Sequence, residues 1–525
     1  MARWLRYYGW DLALAAAALA LIAIALTRLL ADEAGVTREQ LVIGKTPATL
    51  YRPAQEDHAG PVVIVSHGFA GARPLMDPYS LTLAQNGYTA LSFDYLGHGR
   101  NPRPLYGDIT DQDGAAQALV DQTAEIAAYA RRELEAGERG LALLGHSMAT
   151  NIIVRYAQQD EEVAATVGIS LFAPTVDAET PGNLLSVVGG LEGQLEEEGR
   201  KIVAMAAGIE PEAVELGRTY GDMRAGDARR VAIAPGVEHV GVLYSEAAQR
   251  EALSWLNAAF ERESEGWVSE RGPAVALLLA AVIVLARPAS RLLPRVEVSA
   301  RGAGGGWQRI AWVAGVPALA TPVLLSPLPT DFLPVVIADY VAVHFAVFGL
   351  LSAVLLWWTG GRPSLAGVLA AVRPASGWRM ALGVAGLLVY CLGVLGIVFD
   401  QFVTVFFPVW ERWPLILVML AGTLPYFLAD EWLTRGVDSR RGSYPVTKLL
   451  FLLSLGIAVA LDWEGLFFLL MIVPVILVFF LVYGLFSRWV YQRTAHPLVA
   501  GLGNAVAFAW ALGVTFPMLG GAPGS

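Results

Sequence analysis

The sequence predicts two unlike folds in one chain. One is an α/β domain with a mostly parallel sheet flanked by helices over residues 35–265, and the other is an all-α polytopic transmembrane bundle of about eight spans over residues 266–525. Residues 1–34 add an N-terminal transmembrane anchor. Three observations carry this reading. The apolar residues concentrate before residue 31 and after residue 272. Between those limits short apolar runs alternate with helical stretches, the pattern of strands joined by crossover helices. One strand-turn-helix, the run Gly140–Leu144 followed by Gly145-His146-Ser147-Met148-Ala149 and a helix-like stretch from Thr150, has the form of a nucleophile elbow.

Composition agrees with a membrane protein. The chain is 55% hydrophobic and only 16% charged, with a mean hydropathy of +0.50. The first candidate span, Trp10 to Leu30, follows Arg3 and Arg6. Its rival reading is a cleaved signal peptide with a cut near Ala31, but its apolar core is long for one and Arg28 interrupts the cleavage zone. An uncleaved anchor is the expectation, and both readings leave the following domain on the same side of the membrane.

In the α/β part, Pro61–Ser66 reads as a buried strand ending in His67-Gly68-Phe69-Ala70-Gly71, and Tyr88–Asp94 as a strand followed by Tyr95-Leu-Gly-His98-Gly-Arg100. The elbow comes next. A serine hydroxyl is a poor nucleophile at neutral pH, so it must be lifted clear of the chain and handed to a base. Gly145 and Ala149, two positions either side of Ser147, let the turn close. Later strands are Ala165–Phe172, Asn183–Val188 and Arg230–Ala234, and a helix runs from Ser245 to Phe260.

With H-G-F, F-D-Y-x-G-H-G and G-x-S-x-A in this order, residues 35 to 265 resemble the α/β-hydrolase superfamily of serine hydrolases. The usual last glycine of the elbow is Ala149 here. The resemblance implies a triad in the order serine, acid, histidine: Ser147 as nucleophile, Glu192 as the acid just past the strand Asn183–Val188, and His239 as general base ahead of the last helix. Asp177 and Glu238 compete for the acid's role, although Glu238 adjoins His239 and in an extended loop would point away. The oxyanion donors implied are the N–H of Met148 together with that of Phe69 or Ala70. Asp94 and His98 read as structural, and His67 and His146 as lining the pocket or packing. The short connection Ala173–Gly182 leaves no room for a large cap, so the acidic stretch from Glu192 to Asp227 is the one candidate cover. An open site favours ester or lipid-like substrates. Nothing in the pattern calls for a cofactor or a metal.

After residue 266 the candidate spans are Gly272–Ser290, Arg309–Pro327, Phe332–Trp358, Met380–Phe399, Trp413–Leu428, Val446–Leu461, Leu466–Phe486 and Leu498–Leu519. Tryptophans sit at many edges, as interfacial belts require. Every second loop is basic: Arg291, Arg295 and Arg301; Arg362, Arg373 and Arg379; Arg435, Arg440, Arg441 and Lys448; Arg488 and Arg493. The loops between carry Asp331, or Asp400 with Glu411 and Arg412, or Asp462 with Glu464. By the positive-inside rule the N-terminus is cytoplasmic and the α/β domain extracytoplasmic. The sole cysteine, Cys391, falls inside a span, so no disulfide can form within the chain. The net charge of −10 excludes a nucleic-acid surface.

Asp339, Tyr340 and His344 are polar residues within one span, and Asp339 lies five positions from His344, well round the helix from it. They read as packing groups bonded to neighbouring helices rather than as a proton or headgroup site. The string Asp430-Glu431-Trp-Leu-Thr-Arg435 resembles the E-E-x-x-x-R motif of the CAAX-protease and bacteriocin-processing family, with aspartate in first place. Gly501-Leu-Gly-Asn504-Ala is similar to that family's final H-x-x-x-N helix, but position 500 is alanine. The resemblance therefore implies a degenerate module without intact protease chemistry. Taken together, the sequence reads as a membrane-integral serine hydrolase that cleaves amphiphilic or small esters at the bilayer. The alternative is a transporter or binding protein whose external domain binds substrate or regulates. The sequence leaves oligomeric state and the acyl and alcohol groups open.

Overall fold

The structure, a computed structural model, describes residues 2–55, 60–108, 111, 113–330 and 332–520; Asp331 lies outside them. It divides into two compact units. The first comprises Ala23–Leu278, Phe399–Val409 and the stretch from Pro517. The second comprises the residues up to Ile22 together with Leu279–Val398 and Trp410–Phe516.

The first unit is built on eight strands: β1 (Val36–Ile43), β2 (Thr46–Pro53), β3 (Val62–Ser66), β4 (Thr89–Phe93), then, past a two-residue β5 (Leu105–Tyr106), β6 (Leu141–His146), β7 (Val163–Ile169), β8 (Leu184–Gly189) and β9 (Arg229–Ala234). The sheet order is β1-β2-β4-β3-β6-β7-β8-β9. The β1–β2 hairpin is antiparallel and joins β4 antiparallel, and every other pair is parallel. Central strands such as Val62-Val-Ile-Val-Ser66 are buried throughout because helices cover both faces. On one face lie α3 (Ala115–Glu133) and α5 (Met148–Ala157). On the other lie α2 (Asp77–Gln85) and α7 (Glu246–Ala259). Ser245 caps α7 by accepting from the Ala248 N–H, as its position one residue before the helix predicts. The short α4 (Ala136–Arg139) precedes β6 at the amino edge of the parallel strands.

Two sequence expectations change here. The strand expected to reach Phe172 stops at Ile169, because Ser170 turns the chain at φ 52°. The acidic stretch expected to cover the mouth forms α6 (Gly193–Ala207), which packs along the sheet beside β8 and β9. Its Gly199 lies so close that a Cβ there would stand 2.7 Å from Val231 Cγ2. It is a crossover helix and not a cap.

The same unit holds the ends of membrane-length helices. Helix α1 (Ala2–Asp32) ends, and α8 (Arg271–Ser290) begins, at a buried ion cluster. Arg271 lies 3.2 Å from Glu33, 3.8 Å from Asp77 and 3.9 Å from Asp32. Ser269 donates to Asp32 (2.7 Å) and Tyr51 to Asp77 (2.7 Å). In the loop after β4, Arg100 pairs with Asp400 at 2.6 Å. The Leu105 N–H donates to the Met518 carbonyl and the Met518 N–H to that of Gly97, while β10 (Leu519–Gly520) runs parallel to β5.

Among the described residues nine helices are long and apolar enough to cross a membrane: Gly9–Asp32, Arg271–Ser290, Trp307–Leu325, Ala338–Thr359, Gly377–Phe402, Trp410–Thr434, Ser443–Leu461, Ile472–Thr494 and Pro497–Thr515. In the second unit two of them meet backbone to backbone. A Cβ at Gly349 would stand 2.2 Å from the Tyr426 nitrogen, and one at Gly422 would stand 2.2 Å from the Ala342 carbonyl oxygen. Glycine allows that approach, which in lipid substitutes for a hydrophobic driving force. The basic connecting segments of this unit knit together. Val296 and Glu297 donate their N–H groups to the Thr494 carbonyl, Ala303 to that of Trp432 and Gly304 to that of Arg435, and Ala375 donates to the Glu297 carboxylate.

Candidate active site

Ser147 follows the last residue of β6 and precedes the first of α5, at φ 54° and ψ −120°. A non-glycine residue at positive φ is strained and persists only where its surroundings hold it. Here the Ser147 N–H donates to the Ile169 carbonyl (2.9 Å), while its own carbonyl accepts from the Thr150 N–H (2.8 Å) and hydroxyl (2.7 Å). At Gly145 a Cβ would stand 2.9 Å from Ile153 Cδ1. Ala149 is fully buried with its methyl accommodated, so the departure from glycine is tolerated.

The two partners arrive on loops from the same edge. Glu192 follows β8 and His239 follows β9. His239 Nε2 stands 2.7 Å from Ser147 Oγ, and its Nδ1 2.5 Å from Glu192 Oε1. The second carboxylate oxygen accepts from Ser170 Oγ (2.8 Å) and from the Gly189 N–H (2.7 Å). Burial alone would raise the Glu192 pKa, but the hydrogen bonds from His239, Ser170 and Gly189 outweigh it and hold the carboxyl below its usual value. An ionised Glu192 requires the proton on Nδ1, which leaves Nε2 free to accept from the serine hydroxyl.

The residues weighed as rivals lie elsewhere. The Asp177 carboxylate closes a local turn by accepting from the N–H groups of Glu179 (2.9 Å) and Thr180 (2.6 Å). Glu238 accepts from the N–H groups of Val240 (2.8 Å) and Gly241 (2.7 Å), away from the imidazole. Asp94 is buried, paired with Arg73 at 3.1 Å, and accepts from the N–H groups of Arg73 and Arg100. His67 accepts from the Tyr95 N–H at Nε2 and so donates from Nδ1 to the Gly68 carbonyl; burial lowers its pKa.

The loop after β3 is pressed against the elbow. A Cβ at Gly68 would stand 3.0 Å from both Ser147 Cβ and His146 Nδ1, so no larger residue fits there. Phe69 and Ala70 then sit in a turn closed by the Gly71 N–H on the Gly68 carbonyl, with Ala70 at φ 56°. Met148 is the first residue of α5, so its N–H has no acceptor within the helix.

Two contributors escaped the sequence reading. The sequence pattern runs a strand through Ser170, yet Ser170 is the residue just past β7 where the chain turns, and it braces Glu192. The sequence marks His146 only as a pocket or packing group. Its Nε2 lies 2.8 Å from the His239 carbonyl oxygen, and the two rings stand 4.9 Å apart. Burial foremost, with the neighbouring imidazole, pushes its pKa down to about 3, so it stays neutral and donates. The available signal is its place as the last residue of β6, next to Ser147.

In the second unit Asp339, His344, Asp430 and Glu431 all have partners. Glu431 binds Arg435 at 3.0 Å and accepts from Ser487, while Asp430 pairs with Lys448. His344 Nε2 lies 3.0 Å from Ser454 Oγ and its Nδ1 3.4 Å from the Tyr340 hydroxyl. Asp339 instead accepts from the N–H groups of Leu333 and Tyr340.

This strand order, with a nucleophile elbow at the centre of the sheet, defines an α/β-hydrolase fold. Residues 57–196 match the family described as Serine aminopeptidase, S33. Among solved structures, an epoxide hydrolase from Vigna radiata is similar at 20% identity over 27% of this chain and 40% of its own, with a TM-score of 0.21. A dienelactone hydrolase from Anabaena variabilis is similar at 16% identity over 42% of this chain and 97% of its own, with a TM-score of 0.30. A membrane phospholipase A described as a bacterial virulence factor is similar at 15% identity over 49% of this chain and 99% of its own, with a TM-score of 0.29. The chain thus spans about two fifths of the length of the epoxide hydrolase. No curated protein matches the chain.

Proposed function

We propose that the protein is a membrane-integral serine hydrolase that cleaves acyl esters, amphiphilic or lipid-linked, at the extracytoplasmic face. The observation that carries this is the relay from Ser147 through His239 to Glu192, at 2.7 and 2.5 Å. Ser147 Oγ attacks the ester carbonyl carbon as its proton passes to His239 Nε2. The carbonyl oxygen takes up the negative charge, facing the N–H of Met148 and that of Phe69 or Ala70, where each donor is worth about 3 kcal/mol of barrier. The bond to the alcohol breaks, and the alcohol leaves with the proton from His239. Water then gives its proton to His239 and attacks the acyl-enzyme, releasing the acid and restoring the serine hydroxyl. The same parts could open the amide of an aminopeptidase substrate, the activity that the matched family's description names. Esters are favoured because the site is uncapped and its domain is tied to membrane-length helices at both ends. The test is fluorophosphonate labelling of the full-length protein against Ser147→Ala. A wild-type chain that stays unlabelled would favour a binding or transport role.

His146 has a positioning role in this scheme, since its donated hydrogen bond fixes the loop that carries the base. Replacing His146 with alanine is expected to lower kcat roughly 10²-fold, the scale of a misplacement of about 1 Å. Glutamine, which keeps a donor, should restore part of the loss. A kcat equal to wild type in the alanine variant would remove the role.

The topology proposed is nine spans with the N-terminus cytoplasmic. The arginine-rich connections bond to one another, as loops on one side of a membrane can, and this supports the reading. With Cys391 buried as the sole cysteine, an impermeant maleimide should label Glu138→Cys in intact cells and Asp438→Cys only after permeabilisation. The reverse pattern would invert the orientation.

A further inference from the structure

Within the second unit an apolar cleft of about 210 Å³ opens between the second half of α8 and the membrane-length helices Gly377–Phe402 and Ile472–Thr494. Ala286, Ala289, Leu293, Gly386, Phe486 and Val490 line it. Gly386 has no side chain to fill the gap, and a Cβ there would stand 2.6 Å from Leu293 Cδ2. One end is propped by a tyrosine. The helix widens into a π turn at Val389–Leu395, from which the Tyr390 hydroxyl donates to the Val282 carbonyl of α8 (2.6 Å) while its ring meets that of Phe486 at 5.6 Å. Such π turns are rare and gather at functional sites.

The other end of the cleft is basic. Arg493, three residues past Val490, donates from Nε to the Leu293 carbonyl (2.7 Å), and Arg379 donates from Nη1 to the Arg295 carbonyl (3.5 Å). Both guanidinium groups meet backbone carbonyls, and among the described residues neither is ion-paired. The carboxylates of these connections are engaged already. Asp11 is shared by Arg287 (3.4 Å) and Arg291 (3.0 Å), and Glu297 is held by Arg301 (3.6 Å) and the Ala375 N–H (2.7 Å). Trp378, 64% exposed, adjoins Arg379, and Leu292, 88% exposed, adjoins Leu293. An exposed tryptophan beside an arginine marks headgroup level in a membrane protein.

From this arrangement we infer that the cleft holds one acyl chain of an anionic phospholipid whose phosphate is bound by Arg379 and Arg493. Shape and charge both select that occupant. The apolar walls suit a hydrocarbon tail, and basic pockets between spanning helices attract anionic headgroups. A guanidinium presents its N–H groups in a fork that matches phosphate oxygens, and with Nε on the Leu293 carbonyl the terminal nitrogens of Arg493 are left to donate. A zwitterionic lipid would bring its own cation to the same place and lose the net attraction. The inference rests on reading these helices as membrane spans and is independent of the hydrolase chemistry.

The test uses the full-length chain in phosphatidylcholine nanodiscs doped with a diazirine-tailed phosphatidylglycerol or, in parallel, a phosphatidylcholine with the same tail. After photolysis the adducts are mapped by mass spectrometry. On the wild type the anionic probe should mark residues 286–293 and 386–390 roughly tenfold more than the zwitterionic one. Equal marking overturns the headgroup preference, and adducts spread evenly over all the spans overturn the cleft. The pair Arg379→Gln and Arg493→Gln should abolish the excess, and an excess that survives overturns their role. The pair Arg440→Gln and Arg441→Gln, which removes equal charge from another connection, should keep it; equal loss from both pairs overturns a local site. The wild-type comparison decides even where a variant misfolds. A chain that does not enter nanodiscs overturns the reading of the helices as spans, and this inference with it.

Discussion

Replacing Ser147 with alanine should abolish fluorophosphonate labelling and lower ester kcat/KM by roughly 10⁴-fold or more, the scale at which acyl-transfer triads fail when the nucleophile is lost. His239→Ala should cost a similar factor, because the imidazole 2.7 Å from the hydroxyl is the group placed to take its proton. The double variant should be no worse than either single one, since the two residues act on one step. What survives would be the contribution of the N–H groups at Met148 and the Phe69–Ala70 turn. Ester turnover close to wild type in either variant would exclude the mechanism.

Glu192→Gln is expected to cost on the order of 10³ to 10⁴-fold in kcat, because an amide cannot hold the imidazole in the tautomer that leaves Nε2 free. It should also unsettle the Ser170 hydroxyl and the Gly189 N–H, which now share the other carboxylate oxygen. Asp177→Asn should leave turnover within a factor of about two, since that carboxylate serves only a local turn. Loss of turnover in the Asp177 variant with retention in the Glu192 variant would exchange the assignments. The pH dependence has a definite sign. The Glu192 pKa is depressed in the folded protein, so its carboxylate contributes above the unfolded value and is lost only as pH falls through the lower, folded one. Any acid limb in kcat due to this residue therefore lies below that of an ordinary glutamate.

Much of this architecture is legible from the sequence because burial writes simple patterns. Runs such as Val62–Ser66 and Leu141–Leu144 can only be central strands, and the elbow marks the turn between β6 and α5. The hairpin of β1 and β2 is not legible. β1, Val-Thr-Arg-Glu-Gln-Leu-Val-Ile, leaves most of its side chains in solvent at the sheet edge, so no apolar alternation announces it. Ser170 escapes for another reason, since nothing local says that a Gly-Ile-Ser-Leu-Phe run turns at its third residue. Among the spans, Trp413–Leu428 extends to Thr434 because Asp430 and Glu431, which look like an end, are neutralised by Lys448 and Arg435. Phe332–Trp358 begins late, at Ala338, where the Asp339 carboxylate binds backbone N–H groups of the preceding turn and of its own helix.

The ion cluster that ties the two tethers has a consequence for biogenesis. Asp32 is synthesised early, and its hydroxyl partner Ser269 comes 237 positions later, with Arg271 just beyond. A buried carboxylate without its counter-charge is strongly unfavourable. The domain therefore gains its final closure only when the head of the second tether has left the ribosome. No thiol oxidation assists that closure, since the chain's single cysteine lies in a later helix, and late-arriving charge does the work of a disulfide clasp.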